Sequence, residues 1–244
     1  VVLKLAETAK KLTNSENIVL AGGVALNCVA NGKLLKSGIF KGLWIQPAAG
    51  DAGGSLGAAL AAHYIYLKNG RTKIEKRDSM KGAYLGPEFG DLEIERTARK
   101  YMAKHTKFED FSELCEKTAG LLSGDIVIGW FQGRMEFGPR ALGNRSIIGD
   151  PRSPEMQKKL NLKIKYREGF RPFAPSVMEE EIKTFFDMEG TTPYMLLVAP
   201  VQEKRRNKVP ENYSSLPLYE RLYHLRSDVP SITHVDFSAR IQSV

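Results

Sequence analysis

Apolar positions along the first part of the chain recur in two alternating rhythms. Val1, Val2, Leu5, Ala9 and Leu12 keep the spacing of one helix face, and Asn17 to Leu20 follows as a short apolar run that enters Ala21-Gly22-Gly23. Leu26 to Leu35 restores helical spacing until Ser37-Gly38. Leu43-Trp44-Ile45 is a second apolar run, and an alanine-rich stretch from Ser55 to about Leu67 completes an αβαβα order. Strands separated by helical crossovers are expected to lie parallel and to bind ligands beyond their C-terminal ends. The glycine-rich loops Gly22-Gly23 and Gly50–Gly54 sit at two such ends.

From Lys68 to Asp78 the chain is charged and poor in apolar residues, which predicts a connecting segment and a domain boundary near residue 80. Beyond it the pattern predicts helices at Asp91–Lys104 and Phe111–Leu122, a strand at Ile126–Phe131 and a short helix at Glu155–Asn161. Arg171–Val177 reads as extended, Tyr194–Val201 as a strand, and 203–230 as loop-rich. The expected fold class is therefore α/β over residues 1–80 followed by α+β over 81–244.

Composition narrows the function. With 42% hydrophobic and 26% charged residues and a mean hydropathy of −0.30, the chain has the profile of a folded soluble protein. It holds no apolar run long enough for a membrane helix, and Val1-Val2-Leu3-Lys4 lacks the pattern of a signal peptide, so a cytoplasmic location without membrane contact is expected. Cys28 and Cys115 are too few for a disulfide framework or a thiolate zinc site. The net charge of +8 is unevenly spread: residues 134–171 hold ten basic and four acidic side chains. Arginine prominent among glycine and proline suits a compact phosphate or carboxylate ligand better than a nucleic acid.

Five constellations could carry chemistry. Gly22, Gly23 and Asn27 lie where a strand meets a helix, a place for either a phosphate or a plain tight turn. Asp51, in Gly50-Asp51-Ala52-Gly53-Gly54-Ser55, is placed to cap a helix or to reach a metal. In Gly133–Ser146, Arg134, Arg140 and Arg145 alternate with Gly133, Gly138 and Gly143, so the cations can converge while Glu136 orients an arginine. Lys165 and Arg167, two apart on an extended chain, share a face that Arg171 also keeps. His234, Asp236 and Arg240 keep one parity on a strand. His63, His105 and His224 have no comparable neighbours.

Taken together, Gly22–Asn27, Gly50–Ser55, Arg134–Ser146, Lys165–Ser176 and Thr233–Gln242 resemble, in order and wording, the NodU/CmcH carbamoyltransferases. The resemblance implies the end of an actin-like (ASKHA) domain, then most of a YrdC-like domain that forms carbamoyl-adenylate from ATP and carbamoyl phosphate. It further implies that the actin-like part passes the carbamoyl group to a hydroxyl of a sugar or natural product, with a divalent metal, iron or magnesium. Carried over by position, Lys165 and Arg167 with Pro175 resemble a phosphate clamp, and Arg140 and Arg145 join them as catalytic candidates. Gly22, Gly23, Asn27, Arg134, Gly143, Asn144, Ser146, Arg171 and Arg240 become nucleotide-binding candidates, Asp51 the metal ligand, and His234 a catalytic candidate beside the adenylation pocket.

The resemblance also implies departures. The histidine pair spaced four apart and the Asn-Thr-Ser-Phe-Asn-like segment after Gln242 are absent, which reads as a piece of a longer enzyme, weak or inactive by itself yet able to keep nucleotide affinity. A carbamoyl-adenylate enzyme of tRNA modification or hydrogenase maturation is the rival enzyme reading, weakened by Glu136–Gly143, which those relatives do not carry. A basic nucleic-acid-binding module is the rival of another class. The carbamoyl acceptor and oligomeric state are not written in these residues.

Overall fold

The computed structural model describes residues 1–71 and 78–244, so part of the expected connecting segment, 72–77, lies outside the described residues. Helix α1 (Val2–Thr13) ends where Asn14 turns left-handed at φ 50 and returns its N–H to Lys10. Strand β1 (Asn17–Leu20) then crosses to helix α2 (Cys28–Ser37), which starts on the Asn27 side-chain oxygen, an acceptor for the Ala30 N–H, and stops at left-handed Gly38. Strand β2 (Gly42–Ile45) pairs with β1 in parallel, Asn17 opposite Gly42 and Leu20 opposite Ile45, as the crossover order predicts. Helix α3 (Gly53–Ala61) runs on through a widened turn to Tyr66.

Helix α4 (Asp91–Lys100) is shorter than its apolar pattern suggested, because Met102 turns left-handed at φ 49. Helix α5 (Phe111–Ser123) begins on the Asp110 carboxylate, which accepts the Ser112 N–H. Asp125, left-handed at φ 63, delays the following strand, so β3 is Ile128–Phe131, and it pairs antiparallel with β4 (Arg145–Ile148). Helix α6 (Met156–Lys159) continues as a wide turn to Ile164. Strand β5 (Ser176–Val177) is all of 171–177 that pairs, helix α7 spans Ile182–Phe185, and β6 is trimmed to Leu197–Pro200 after the left-handed Met195. The loop-rich 203–230 contains helix α8 (Leu218–Tyr223). Strand β7 (Ser238–Ser243) lies between β5, parallel to it, and β6, antiparallel to it. The protein is thus mixed α and β, with small parallel and mixed sheets.

Two apolar clusters hold these pieces. Alternate residues of β7, Ala239 and Ile241, are fully buried with Phe186, Val201 and Ile232 in one of them. The other collects Ala25, Ile45 and Ala49 from the N-terminal segment, Met80 and Ala83, Leu142, and Tyr194 to Leu196. Gly32 of α2 packs so closely on β6 that a Cβ there would stand 2.6 Å from the Val198 carbonyl oxygen, and the Asn31 amide donates to the Leu196 carbonyl at 3.1 Å. No helix among the described residues is long and apolar enough to cross a membrane.

Candidate functional site

The loop from β3 to β4 carries the arginine-glycine motif, and one carboxylate shapes it. Glu136 accepts the backbone N–H groups of Leu142, Asn144 and Arg145 at 2.7, 3.0 and 3.2 Å, a role for this residue that replaces the expected contact with an arginine. Burial alone would raise its pKa, but the three amides hold the carboxyl below its ordinary range. The Leu142 carbonyl is gripped in turn by the Tyr84 hydroxyl and the Gln242 amide, each at 2.7 Å. Gly138, at φ 129, lets the loop run against Pro47 and Ala48, where a Cβ would meet the Pro47 carbonyl oxygen at 3.2 Å.

Beside this loop lies a cavity of about 730 Å³ to which β4, the α6 turn, the Phe173–Ser176 segment and β7 all contribute. Arg140, Gly143, Ser146, Lys165, Arg167 and Arg240 line it, so six of the expected site residues meet in one place. The route differs from the expected one for Lys165 and Arg167. They are not on an extended chain: Lys165 ends the wide turn after α6 and Tyr166 is left-handed at φ 47. Arg167 is held by the Asn161 side-chain oxygen at 2.6 Å and stacks its guanidinium 4.9 Å from the Phe173 ring.

Among the described residues, none of these four cations forms an ion pair, whereas Arg152, also on the wall, is neutralised by Asp150. Arg140 gives one guanidinium nitrogen to the Leu26 carbonyl at 3.2 Å, yet its Nε and that of Arg240 are buried without any partner. Burial and then Arg140, opposed by a bond to Cys28 and aided by Arg167, push the Arg240 guanidinium below its ordinary pKa. Burial and then Arg171 do the same to Arg167. Crowded cations with unused donors in a cavity have the chemistry to take a multiply charged anion.

The remaining expected residues lie elsewhere. Arg134 binds the Gly86 carbonyl at 2.9 Å and faces Glu88, Arg145 is exposed on β4, and Arg171 pairs with Glu168 at 2.8 Å, so the arginines of the motif do not all converge. Asn144 spends its side chain on the Arg134 carbonyl. Gly22, at φ 95, donates to the Ala49 carbonyl and so joins the two glycine-rich loops, but Gly22, Gly23 and Asn27 do not line the cavity, and Asn27 serves as the cap of α2. Asp51 is exposed and makes no cap, and no three His, Cys, Asp or Glu side chains come together among the described residues to complete a metal set with it.

His234 and Asp236 are not on a strand. They occupy the turn before β7, where the Phe237 N–H reaches the His234 carbonyl, and both meet the Ser238 hydroxyl: Asp236 Oδ1 at 2.7 Å and His234 Nδ1 at 3.1 Å. Tyr84, Asn161, Phe173 and Gln242 were not singled out from the sequence. Two carried a signal: Phe173 lies in the Lys163–Pro175 stretch, whose aromatic residues point to a packed site, and Gln242 shares the strand parity of Arg240.

Comparisons with known proteins identify the family. Family models described as Carbamoyltransferase C-terminus and Carbamoyltransferase N-terminus match residues 119–244 and 1–60. An uncharacterized protein of Synechocystis sp. is 55% identical over 100% of this chain and 40% of its own length. Nodulation protein NolNO of Sinorhizobium fredii is 39% identical over 100% of the chain and 33% of its own. The 3'-hydroxymethylcephem-O-carbamoyltransferase of Amycolatopsis lactamdurans is 29% identical over 98% and 39%. The chain therefore spans two fifths or less of these relatives' lengths. Matched by the C-terminus model across the loop and cavity just described and by the N-terminus model over its first 60 residues, the chain belongs to the carbamoyltransferase family of NodU/CmcH type.

Proposed function

We propose that this chain carries the carbamoyl-activating part of an O-carbamoyltransferase. ATP and carbamoyl phosphate meet in the Arg140–Arg240 cavity to form carbamoyl-adenylate, and the carbamoyl group passes to a hydroxyl of a small-molecule acceptor. The observation that carries the reading is the cavity itself, lined by Arg140, Lys165, Arg167 and Arg240 with no ion pair among the described residues. Two phosphorylated substrates together bring more negative charge than one cation can offset, and pre-placed donors stabilise that charge without reorganising. In this reading Arg140 and Arg240, whose Nε groups lack partners, hold phosphate oxygens. Arg167, braced by Asn161 and Phe173, keeps a fixed plane for a second contact, and exposed Lys165 closes over the outer charge.

Residues 81–244 take the YrdC-like, adenylating role and residues 1–80 belong to the actin-like, transferring part. A small-molecule acceptor is supported by the Amycolatopsis relative, whose name specifies a hydroxymethyl group on a cephem. The reading places the reaction in the cytoplasm, where ATP is available. No step is assigned to iron or magnesium, because the described residues gather no donor set around Asp51.

Titration of the chain with ATP and with a short RNA tests the reading. Saturable ATP binding that survives moderate salt is expected. Affinity only for RNA, rising with its length and collapsing as salt increases, would identify a polyanion surface instead.

A further inference from the structure

One face of β7 presents Ser238, Arg240 and Gln242 in succession, while Ala239 and Ile241 point into the core. Gln242 grips the motif loop at the Leu142 carbonyl, and Arg240 lines the cavity. Ser238, two residues before Arg240 on that face, holds the His234 ring. The proton inventory of this turn is decidable. Burial would raise the Asp236 pKa, but bonds from the Ser238 hydroxyl and amide hold it below its ordinary value, so the carboxylate accepts only. The single Ser238 hydroxyl proton therefore goes to Asp236 at 2.7 Å, and Ser238 can only accept from His234 Nδ1 at 3.1 Å. Burial, opposed by Asp236 and aided by Arg240 and Arg226, keeps the ring neutral.

Nδ1 thus carries the proton, and Nε2 is a bare acceptor. Among the described residues it is buried and has no partner, and the Nε–H of Arg240 is an equally buried donor without one. The unused acceptor belongs to a ring anchored through Ser238 to the β7 face that also carries Arg240 and its unused donor, so the two are complementary.

We propose that His234 is a positioning residue for Arg240: anchored through Nδ1 to Ser238, it accepts the Arg240 Nε–H on Nε2 and so aims the outer guanidinium nitrogens at phosphate in the cavity. The inference rests on the phosphate-binding reading of that cavity. His234 touches no substrate in this account. It acts by removing rotational freedom from Arg240, so its whole contribution to binding runs through that arginine.

Two isosteric contrasts and a double-mutant cycle test it, read by calorimetry with ATP on the 244-residue chain. Gln at 234 places a carbonyl oxygen near the Nε2 position, whereas Asn reaches only the Nδ1 position. His234→Gln should keep ATP affinity within about threefold, and His234→Asn should weaken it about tenfold, the worth of one charged hydrogen bond. In an Arg240→Ala background, His234→Asn should cause no further loss. A urea midpoint for each variant separates binding from folding. Wild-type affinity in His234→Asn, or an equal loss with Arg240 present and absent, overturns the inference and leaves the cavity reading standing. Failure of the unsubstituted chain to bind ATP overturns both.

Discussion

Two arginines close together in the chain, Arg226 and Arg240, are put to opposite uses. Arg226 is 2% exposed and spends its donors on the carbonyls of Arg221, Leu222 and Thr233, which makes it a staple between α8 and the turn before β7. Arg240 keeps a buried Nε unused and stands among like charges. Arg226→Met should lower the unfolding free energy by about 3 kcal/mol, because three carbonyls lose their donor. Arg240→Met should leave the ligand-free midpoint unchanged or higher while ATP stabilises the chain less than it does the unsubstituted one. Urea denaturation of both decides it, and an equal drop in the two would assign Arg240 to structure. Glu136 is the third case. Its folded pKa lies below its ordinary 4.5, so its contribution is present above that value and is lost as pH falls through the lower folded one. Glu136→Gln should flatten the acid limb of the stability profile, and Glu136→Ala should cost about 2 kcal/mol at neutral pH. At this scale the density of cations near the motif was legible, whereas which arginines are free was not. Arg134 and Arg171 are diverted by Glu88 and Glu168, and an ion pair leaves no periodic trace.

Elements were most legible where a cap marks them. Asn27 and Gly38 bracket α2, Asp110 opens α5, and these boundaries follow from side-chain chemistry visible in the chain. They were least legible where a non-glycine residue turns left-handed. Met102 shortens a helix, Asp125 and Met195 delay strands, and Phe237 converts the expected His234–Asp236 strand into a turn that still joins the two side chains through Ser238. Asp125 is of a type that tolerates this region, but nothing in residue type announces Met102, Met195 or Phe237, where tertiary packing imposes it. Packing between elements also sets a limit that spacing does not reveal. Gly32→Ala drives a methyl against the Val198 carbonyl and should destabilise the α2–β6 contact by about 2 kcal/mol, measured as a shift in the urea midpoint. A neutral effect would mean that α2 can move away from β6.

Across the whole molecule, the loop beside the cavity is braced from both sides of residue 80. Arg140 leans on the Leu26 carbonyl, Gly138 runs against Pro47 and Ala48, and Tyr84 holds the turn that carries Arg140. The concentration of charge in 134–171 suggested a compact anion, and that segment supplies Arg140, Lys165 and Arg167 to the cavity, with Arg240 arriving from far along the chain on β7. That last convergence depends on the β5–β7–β6 sheet, which sequence spacing cannot register. The central claim is that these unpaired arginines exist to hold the phosphates of a nucleotide. Calorimetric titration of ATP into the chain and into Arg140→Ala measures it most directly. One saturable site in the unsubstituted chain and no measurable heat of binding in the variant are predicted, and equal affinity in the two would contradict it.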